Sequence, residues 1–290
     1  MGSSKARTVA VLAALAQASD KPKLNGFGLT GVRMRFDLIT LFPELFTPFL
    51  TSGVTRRAYE SKQVELVFWN PRDFALGNYK RIDDRPFGGG PGMVMMAEPL
   101  AACLVAIQAA RAAASGRDTD AAPAPVVLFS PIGETLRHAG VEAWSASQGA
   151  VLVCGRYEGI DQRFIDSHVT HQISLGDFVL SGGEIAAMAL LDAVARLQPG
   201  VLGDEASHVQ DSFNPALDGL LDCPHFTRPE SWNGQSVPAP LLSGHHLQIE
   251  RWRRDQRLAI TVQRRPELIA AARAGGRLNA ADEAALRKLL

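Results

Sequence analysis

The sequence predicts an α/β protein with a parallel sheet that helices cover on both faces. Two short apolar runs, Val126–Ser130 and Ala150–Gly155, lack polar alternation, and a helical segment around residues 135–146 separates them. Continuous apolar runs are typical of parallel strands that are buried on both faces. A further strand over residues 35–42 leads into a helix over residues 43–58, since proline at position 43 suits a first helical turn.

The remaining segments extend this alternation. Residues 64–70 predict a second strand, residues 97–114 an alanine-rich helix, and Glu184–Leu197 the helix that closes the α/β part. Between them, Ser115–Pro125 has the glycine, proline and aspartate content of a flexible surface loop.

The composition changes after Leu197. Residues 198–219 have no sustained hydrophobic period and predict a linker or a mobile lid. An arginine-rich helix follows over residues 245–268, and Asn279–Leu290 predicts a last small helix. We therefore expect a second, smaller and mainly helical domain from about Ser212.

Composition excludes several classes of protein. The 290 residues are 46% hydrophobic and carry 30 basic and 30 acidic side chains, so any basic surface for nucleic acid must be local. Three widely spaced cysteines, Cys103, Cys154 and Cys223, argue against a disulfide framework or a structural zinc site and fit a reducing cytosol. No continuous apolar run reaches the roughly 18 residues that a bilayer requires. These features predict a cytoplasmic protein without a membrane segment.

The N-terminus imitates a signal peptide. Lys5 and Arg7 precede a short, alanine-rich apolar stretch. That stretch is weak, however, and Met34 opens a much better strand pattern. We expect residues 1–33 to be a disordered extension outside the fold.

The stretch Asp83–Met93 reads DDRPFGGGPGM and is the densest glycine cluster in the chain. Glycine is favoured where the backbone needs a positive φ or where another molecule comes close. The spacing matches neither the phosphate loop GxxxxGK[ST] nor the dinucleotide motif GxGxxG. A tight structural turn and a surface for close approach of a ligand both remain open for this stretch.

Three further loops follow apolar segments and contain small or polar residues. They lie in LFSPIG (128–133), CGRYEGID (154–161) and LGDFVLSGGE (175–184). Ligands of open parallel sheets bind beyond the carboxyl ends of the strands. Together the three loops predict a binding crevice.

The predicted arginine-rich helix has two interpretations. Six arginines between Arg251 and Arg265 outnumber the two acids Glu250 and Asp255, and Trp252 lies among them. A solvated helix face and a surface that grips a nucleic-acid backbone are both consistent with this pattern.

Eight segments carry a resemblance to a known family. In chain order they read DDRPFGGGPGM, SPIG, CGRYEGID, GDFVLSGGE, PGVLG, DSF, LLDCPHFTRPE and VPAPLLSGHH. From about Met34 to near Glu267 the chain resembles the bacterial tRNA (guanine-N(1))-methyltransferase family, TrmD. The resemblance implies methylation of guanine N(1) at tRNA position 37, beside the anticodon, with S-adenosyl-L-methionine as the methyl donor.

The resemblance also implies an architecture. The fold would be of the SPOUT type, a parallel sheet with a deep trefoil knot, plus a small helical C-terminal domain that helps to hold the tRNA. It would divide the chain into a methyltransferase domain at 34–196, a linker or lid at 197–211 and a helical tRNA-binding domain at 212–290. A homodimer with each active site at the subunit interface is implied as well.

The resemblance also implies which residues form the site, where the motifs of this sequence match those of the family. The cofactor would be wrapped by three loops, through Pro131, Gly155, Tyr157, Glu158, Leu175, Gly176, Asp177, Phe178, Val179 and Leu180. The tRNA would contact Asp84, Arg85, Arg251, Arg253 and Arg254.

The resemblance gives the catalytic roles to Asp211 and Arg196. Asp211 would be the base that takes the proton from guanine, and Arg196 would stabilise the charge on the guanine oxygen. Family members are also reported to use Mg²⁺; no dedicated ligand cluster is visible in the sequence, and Glu158 is only a candidate ligand. The alternative function is a non-catalytic knotted RNA-binding protein.

Overall fold

A computed structural model describes residues 34–115, 122–204 and 207–289. The predicted extension over residues 1–33 and most of the predicted surface loop at Ser115–Pro125 lie outside the described residues.

Short strands alternate with helices along the described chain. The strands are β1 (Met34–Ile39), β2 (Val64–Trp69), β3 (Asp83–Asp84), β4 (Val94–Met95), β5 (Val126–Thr135), β6 (Val151–Val153), β7 (His171–Ser174), β8 (Ser231–Trp232) and β9 (Gln235–Ser236). The α-helices are α1 (Thr47–Thr51), α2 (Arg56–Glu60), α3 (Ala97–Ser115), α4 (His138–Ser145), α5 (Gln162–His168), α6 (Glu184–Ala195), α7 (Ala239–Leu242), α8 (His246–Arg264), α9 (Pro266–Ala274) and α10 (Ala280–Leu286).

Five strands form the central sheet, in the order β2-β1-β6-β5-β7. Every pair of neighbours in this sheet is parallel. The predicted α/β class with a parallel sheet is therefore confirmed. The pairs β3–β4 and β8–β9 are antiparallel hairpins outside this sheet.

Both faces of the sheet are buried. On β6, Leu152 points into one apolar cluster, whereas Val151 and Val153 point into the other. Residues of α4 and α6 pack in the first cluster, and residues of α3 and α5 pack in the second. Successive side chains of a strand point to opposite faces, so a strand between two helical layers must be apolar at every position.

The predicted helix over residues 43–58 is broken. A 3₁₀ turn at Pro43–Phe46 leads into α1, and a separate α2 begins at Arg56. Gly53 lies between the two helices with a φ of +73°. This left-handed conformation interrupts the helical path, and glycine adopts it without steric cost.

The predicted boundary near Ser130 is also wrong. β5 continues to Thr135, and α4 begins only at His138. The pairing of β5 with β7 shifts register between Phe129 and Glu134, both of which oppose Ile173. The chain therefore leaves the sheet within β5 and then returns to it. Pairing with β7 continues on both sides of this excursion, which is why the strand extends beyond Ser130.

A buried carboxylate joins β1 to its neighbours. Asp37 on β1 is fully buried and contacts the guanidinium groups of Arg35 at 2.7 Å and Arg111 at 2.6 Å. Its Oδ1 also accepts a hydrogen bond from the indole Nε1 of Trp69 at 2.8 Å. A buried charge is tolerated only when it is paired in this way, so this contact fixes α3 against β1.

The C-terminal helices have an apolar cluster of their own, formed by residues such as Leu220, Leu258 and Leu286. Asp282 of α10 is fully buried beside it and pairs with Arg254 at 2.9 Å and with Arg251 at 3.4 Å. The same carboxylate accepts a hydrogen bond from the Asn279 backbone, which completes a capping box at the start of α10.

One described helix, over residues 97–114, is long and apolar enough to span a membrane by length and composition alone. This is weak evidence, because core helices pass the same test. Leu100, Cys103 and Ile107 of this helix pack in the second apolar cluster of the sheet.

We predict that the D282N substitution destabilises the protein by about 3 kcal/mol, near the low end for a buried ion pair that loses one partner. Burial alone would raise the pKa of Asp282, but the hydrogen bonds from Arg254 and the Asn279 backbone and the charges of both arginines lower it below its ordinary value. The carboxylate therefore adds stability above the unfolded-state pKa of about 3.9. That contribution is lost as the pH falls through the lower, folded-state value.

Urea unfolding at pH 7 and at several pH values below 4 measures both effects. The substituted protein should lose less stability on acidification than the unaltered protein. Equal acid sensitivity of the two proteins would show that Asp282 is not the titrating group.

Candidate active site

Three loops meet at one edge of the sheet. They follow or interrupt β6, β5 and β7, which are immediate neighbours. Parallel strands end at the same edge, so the loops with the motifs SPIG, CGRYEG and LGDFVLSGG lie side by side. The sheet order thus brings together the segments from which the sequence predicted a binding crevice.

The first loop is the excursion within β5. Pro131 and Ile132 are exposed, and Ile132 keeps 80% of its surface. A Cβ atom at Gly133 would lie 2.5 Å from the backbone of Gln172 and Ile173. Only glycine allows the excursion to close against β7 at this distance.

The second loop begins at Gly155 and turns through Tyr157, a non-glycine residue with a φ of +61°. The Tyr157 ring is about half exposed. Glu158 donates its backbone N–H to the carbonyl of Met93 at 2.9 Å, and Met95 donates to the carbonyl of Gly159 at 2.8 Å. The second loop is therefore bonded to the segment that contains the densest glycine cluster.

That segment is the hairpin formed by β3 and β4. Asp84 lies at the end of β3. Its carboxylate accepts a hydrogen bond from the backbone N–H of Arg85 and forms an ion pair with Arg81. Phe87 at the turn is fully exposed. The glycines that follow all have a positive φ: Gly88, Gly89, Gly90 and Gly92. The structure thus supports both interpretations left open above, since the stretch is a tight turn and also presents an exposed surface beside the second loop.

The third loop runs from Leu175 to α6. Gly176 has a φ of +144°, and Phe178 and Val179 are exposed. Among the residues that the structure describes, the backbone N–H groups of Val179 and Leu180 donate no hydrogen bond. Free backbone donors on an exposed loop are suited to the polar edge of a ligand such as adenine.

Three residues that the sequence analysis missed connect these loops. Arg156 of the second loop lies 2.9 Å from Glu184 at the start of α6. Glu184 in turn accepts a hydrogen bond from the hydroxyl of Thr40, just after β1. Arg156 and Glu184 stand within the quoted glycine motifs, and their opposite charges were the available signal.

The two predicted catalytic residues are in contact. Arg196 follows α6 directly, and its Nη1 donates a hydrogen bond to Oδ2 of Asp211. The side chains keep 32% and 33% of their surface, so both remain accessible. A cleft of about 170 Å³ adjoins Arg196 and is lined by residues that include Arg196, Pro199, Gly200 and His208.

Asp211 belongs to a segment that is anchored on the C-terminal helices. The backbone N–H of Leu221 donates to the hydroxyl of Thr261 on α8, and Arg257 donates to the carboxylate of Asp222. The Arg265 guanidinium lies over the Phe213 ring at 5.7 Å. The position of Asp211 therefore depends on α8 as well as on Arg196.

The arginines of α8 differ in their availability. Arg254 is mostly buried and pairs with Asp218 at 2.8 Å and with Asp282. Arg251 pairs with Asp255 and Asp282. Arg253 is about as exposed as Arg251, but the described part of the chain shows it in one ion pair alone, with the exposed Glu250 on the surface. Of the three predicted tRNA contacts on this helix, Arg253 has the fewest competing partners.

The described residues do not assemble a metal site. No group of three or more histidine, cysteine, aspartate or glutamate side chains within the described ranges lies close enough to hold an ion. The side chain of Glu158, the candidate ligand, packs against Gly92. The described residues of one chain therefore do not fit a Mg²⁺ site.

Comparison with known proteins decides the family. Residues 34–271 match the family model of the tRNA (Guanine-1)-methyltransferase TrmD. The chain belongs to this family. It is 74% identical to the tRNA (guanine-N(1)-)-methyltransferase of Polaromonas sp. (strain JS666 / ATCC BAA-500) over 256 residues, which cover 88% of this chain and 97% of the relative.

Other relatives agree. The tRNA (guanine-N(1)-)-methyltransferase of Paracidovorax citrulli is 72% identical over 88% of this chain and 98% of its own length. The protein of the same name from Bordetella pertussis is 57% identical over 88% of this chain and 98% of its own length. The predicted resemblance is confirmed, and membership of this family implies S-adenosylmethionine as the methyl donor.

We predict that G133A weakens the binding of S-adenosylmethionine by about tenfold or more, a change of at least ~1.4 kcal/mol. The added methyl group would lie 2.5 Å from the backbone of β7 and must displace the first loop. Isothermal titration calorimetry measures the change.

The G140A substitution is the matched control. A Cβ atom at Gly140 would meet only the Leu136 side chain, at an ordinary distance of 3.6 Å, and alanine favours the helix α4. G140A should bind the cofactor normally. Normal binding by G133A would place the cofactor away from the first loop.

Proposed function

We propose that this protein methylates N(1) of guanine at position 37 of tRNA with S-adenosyl-L-methionine. The observation that carries the proposal is the contact between Arg196 and Asp211 beside an open cleft. Family membership supports the same reaction. A carboxylate and a guanidinium that are both partly exposed can reach a bound base, whereas a fully buried pair could not touch it.

The residue types suit the chemistry. N(1) of guanine carries a proton, which the Asp211 carboxylate accepts as the methyl group moves from the sulfonium sulfur to N(1). Loss of this proton places negative charge on the neighbouring carbonyl oxygen. The guanidinium of Arg196 stabilises that charge. Its contact with Asp211 would hold both groups beside the same base.

The three loops form the proposed cofactor site. S-adenosylmethionine supplies an activated methyl group when it is bound. The free N–H groups of Val179 and Leu180 would recognise its polar edges, and the exposed ring of Tyr157 and the apolar surface of Ile132 would cover it. Cofactor contacts at Pro131, Gly155, Glu158 and Leu175–Phe178 complete the proposal.

The proposed site includes a second subunit. Ile132, Tyr157, Phe178 and Val179 expose apolar surface on the loops themselves, and a homodimer with its active site at the interface would cover that surface. We further propose the SPOUT arrangement, in which these loops form a deep trefoil knot. Gly183 donates its backbone N–H to the carbonyl of Gly155, so the third loop returns against the second.

The tRNA would lie across two surfaces. One is the β3–β4 hairpin with Asp84 and Arg85, which is bonded to the second loop. The other is the helical part at residues 212–290, where Arg251, Arg253 and Arg254 lie on α8. The linker at residues 197–211 connects them to the α/β part at 34–196 and would deliver Asp211 as a lid. We place the protein in the cytoplasm, where its tRNA substrate is found.

Methyl transfer from labelled S-adenosylmethionine to tRNA transcripts tests the function. Transcripts with G37 should accept the label, and transcripts that differ only by A37 should not. Tight tRNA binding without any transfer would favour the alternative, a non-catalytic knotted RNA-binding protein.

We predict that D211N slows the chemical step by about 10²–10⁴, the usual cost of losing a general base, because asparagine keeps the shape but not the basicity. R196A should slow the same step. The double variant should be less impaired than the product of the single effects, since both groups act on one transition state.

Single-turnover methyl transfer with enzyme in excess over tRNA isolates this step. Cofactor binding serves as the control and should be unchanged in D211N. A rate near that of the unaltered protein would remove Asp211 as the base and make Asp177 the next residue to test.

We predict that R253A weakens tRNA binding and reduces the salt dependence of log K by about one unit of slope, the value for one lost phosphate contact. R56A is a matched control, because Arg56 is another exposed arginine whose ion pair is with an exposed surface residue, Glu60. Filter binding between about 50 and 200 mM salt measures the slope. An unchanged slope for R253A would make this part of α8 an ordinary solvated surface.

A further inference from the structure

The side chain of Arg156 lies where three segments meet. Its Nε is 2.9 Å from Oε2 of Glu184, at the start of α6. Its Nη1 donates a hydrogen bond to the carbonyl of Ser181 in the third loop at 3.2 Å. Its guanidinium lies 4.5 Å from the centre of the Phe42 ring, just after β1. One side chain of the second loop thus touches the third loop, α6 and the end of β1.

Glu184 is the buried partner in this arrangement. Its side chain is only 1% exposed, and its Oε1 accepts a hydrogen bond from the Thr40 hydroxyl at 2.8 Å. Thr40 in turn accepts a hydrogen bond from the backbone N–H of Phe42 at 3.0 Å. Within the described part of the chain, neither Oε2 of Glu184 nor Nε of Arg156 has a well-aligned hydrogen bond. Each charge therefore depends on the other for compensation.

The two glycines before Glu184 make this contact possible. A Cβ atom at Gly182 would lie 2.5 Å from Cδ of Arg156. A Cβ atom at Gly183 would lie 2.7 Å from the Cα atom of Cys154, and Gly183 donates its backbone N–H to the carbonyl of Gly155. Because both positions are glycine, no side chain separates the third loop from the second there.

We propose that Arg156 and Glu184 are positioning residues that hold the second and third loops at the spacing that S-adenosylmethionine requires. The inference rests on the proposed cofactor site and adds two residues to it. Neither residue takes part in the reaction. Their ion pair sets the distance between two surfaces of the cofactor site, so their effect is on the affinity for the cofactor rather than on the rate of methyl transfer.

A buried ion pair can also serve the stability of the fold alone, and the chain contains a matched example. Asp37 is as buried as Glu184 and contacts Arg35 and Arg111. It lies on the same strand, β1, that leads to Thr40, but its partners belong to β1 and α3 instead of the loops. D37N therefore reports what the loss of a buried carboxylate does to the protein as a whole.

The test compares E184Q with D37N in the full-length protein. Glutamine keeps the size of Glu184 and its contact with Thr40 but removes the charge that faces Arg156. We expect the Kd for S-adenosylmethionine to rise about tenfold or more, the low end of the loss in metal affinity when a residue that orients a metal ligand is replaced. At a saturating cofactor concentration, the single-turnover rate should stay within about twofold of the unaltered value, because only binding is affected. D37N should lower the unfolding temperature without changing the Kd.

R156K is the second variant and supports the test if E184Q does not fold. Lysine keeps the positive charge near Glu184 but loses the planar contact with Phe42 and the hydrogen bond to Ser181. Its Kd should rise in the same manner. An unchanged Kd in a folded E184Q or R156K would overturn the inference, and so would an equal rise in D37N. Failure of the proposed function would appear differently, as a lack of cofactor binding and methyl transfer in the unaltered protein.

Discussion

The parallel pairing of β6, β5 and β7 is the constraint on which the candidate site depends. Parallel neighbours end at one edge, so loops that are about 20 to 45 residues apart along the chain become adjacent. β5 lies between β6 and β7, and its excursion passes close to the backbone of β7. Gly133 satisfies that requirement, because any side chain there would overlap the neighbouring backbone.

Paired charges fix the elements around this sheet. Asp37 ties α3 to β1, Glu184 ties α6 to the second loop and to β1, and Asp282 ties α10 to α8. In each case a carboxylate that is at most 1% exposed meets an arginine from another element or loop of the chain. Such pairs are costly to break, since the remaining partner would be left buried without compensation. They add directional contacts to an interior that is otherwise held by apolar packing.

The linker connects the α/β part to the C-terminal helices at the proposed catalytic pair. Arg196 is carried by the end of α6, whereas Asp211 is anchored through its own segment to Thr261 and Arg257 on α8. The position of the proposed base therefore reflects the packing of the C-terminal helices.

The sequence by itself determined the fold class, the family and the segments of the candidate site. Continuous apolar runs required a sheet covered on both faces, and irregular motifs such as CGRYEGID were specific enough to indicate the family. Only the tertiary structure decided how β5 resumes after Pro131, where the helix over residues 43–58 breaks, and that Arg156 meets Glu184. The physical reason is that strand pairing and ion pairs join residues far apart in the chain. Local propensity depends on residues that are near in the sequence, whereas these contacts depend on residues that are near in space.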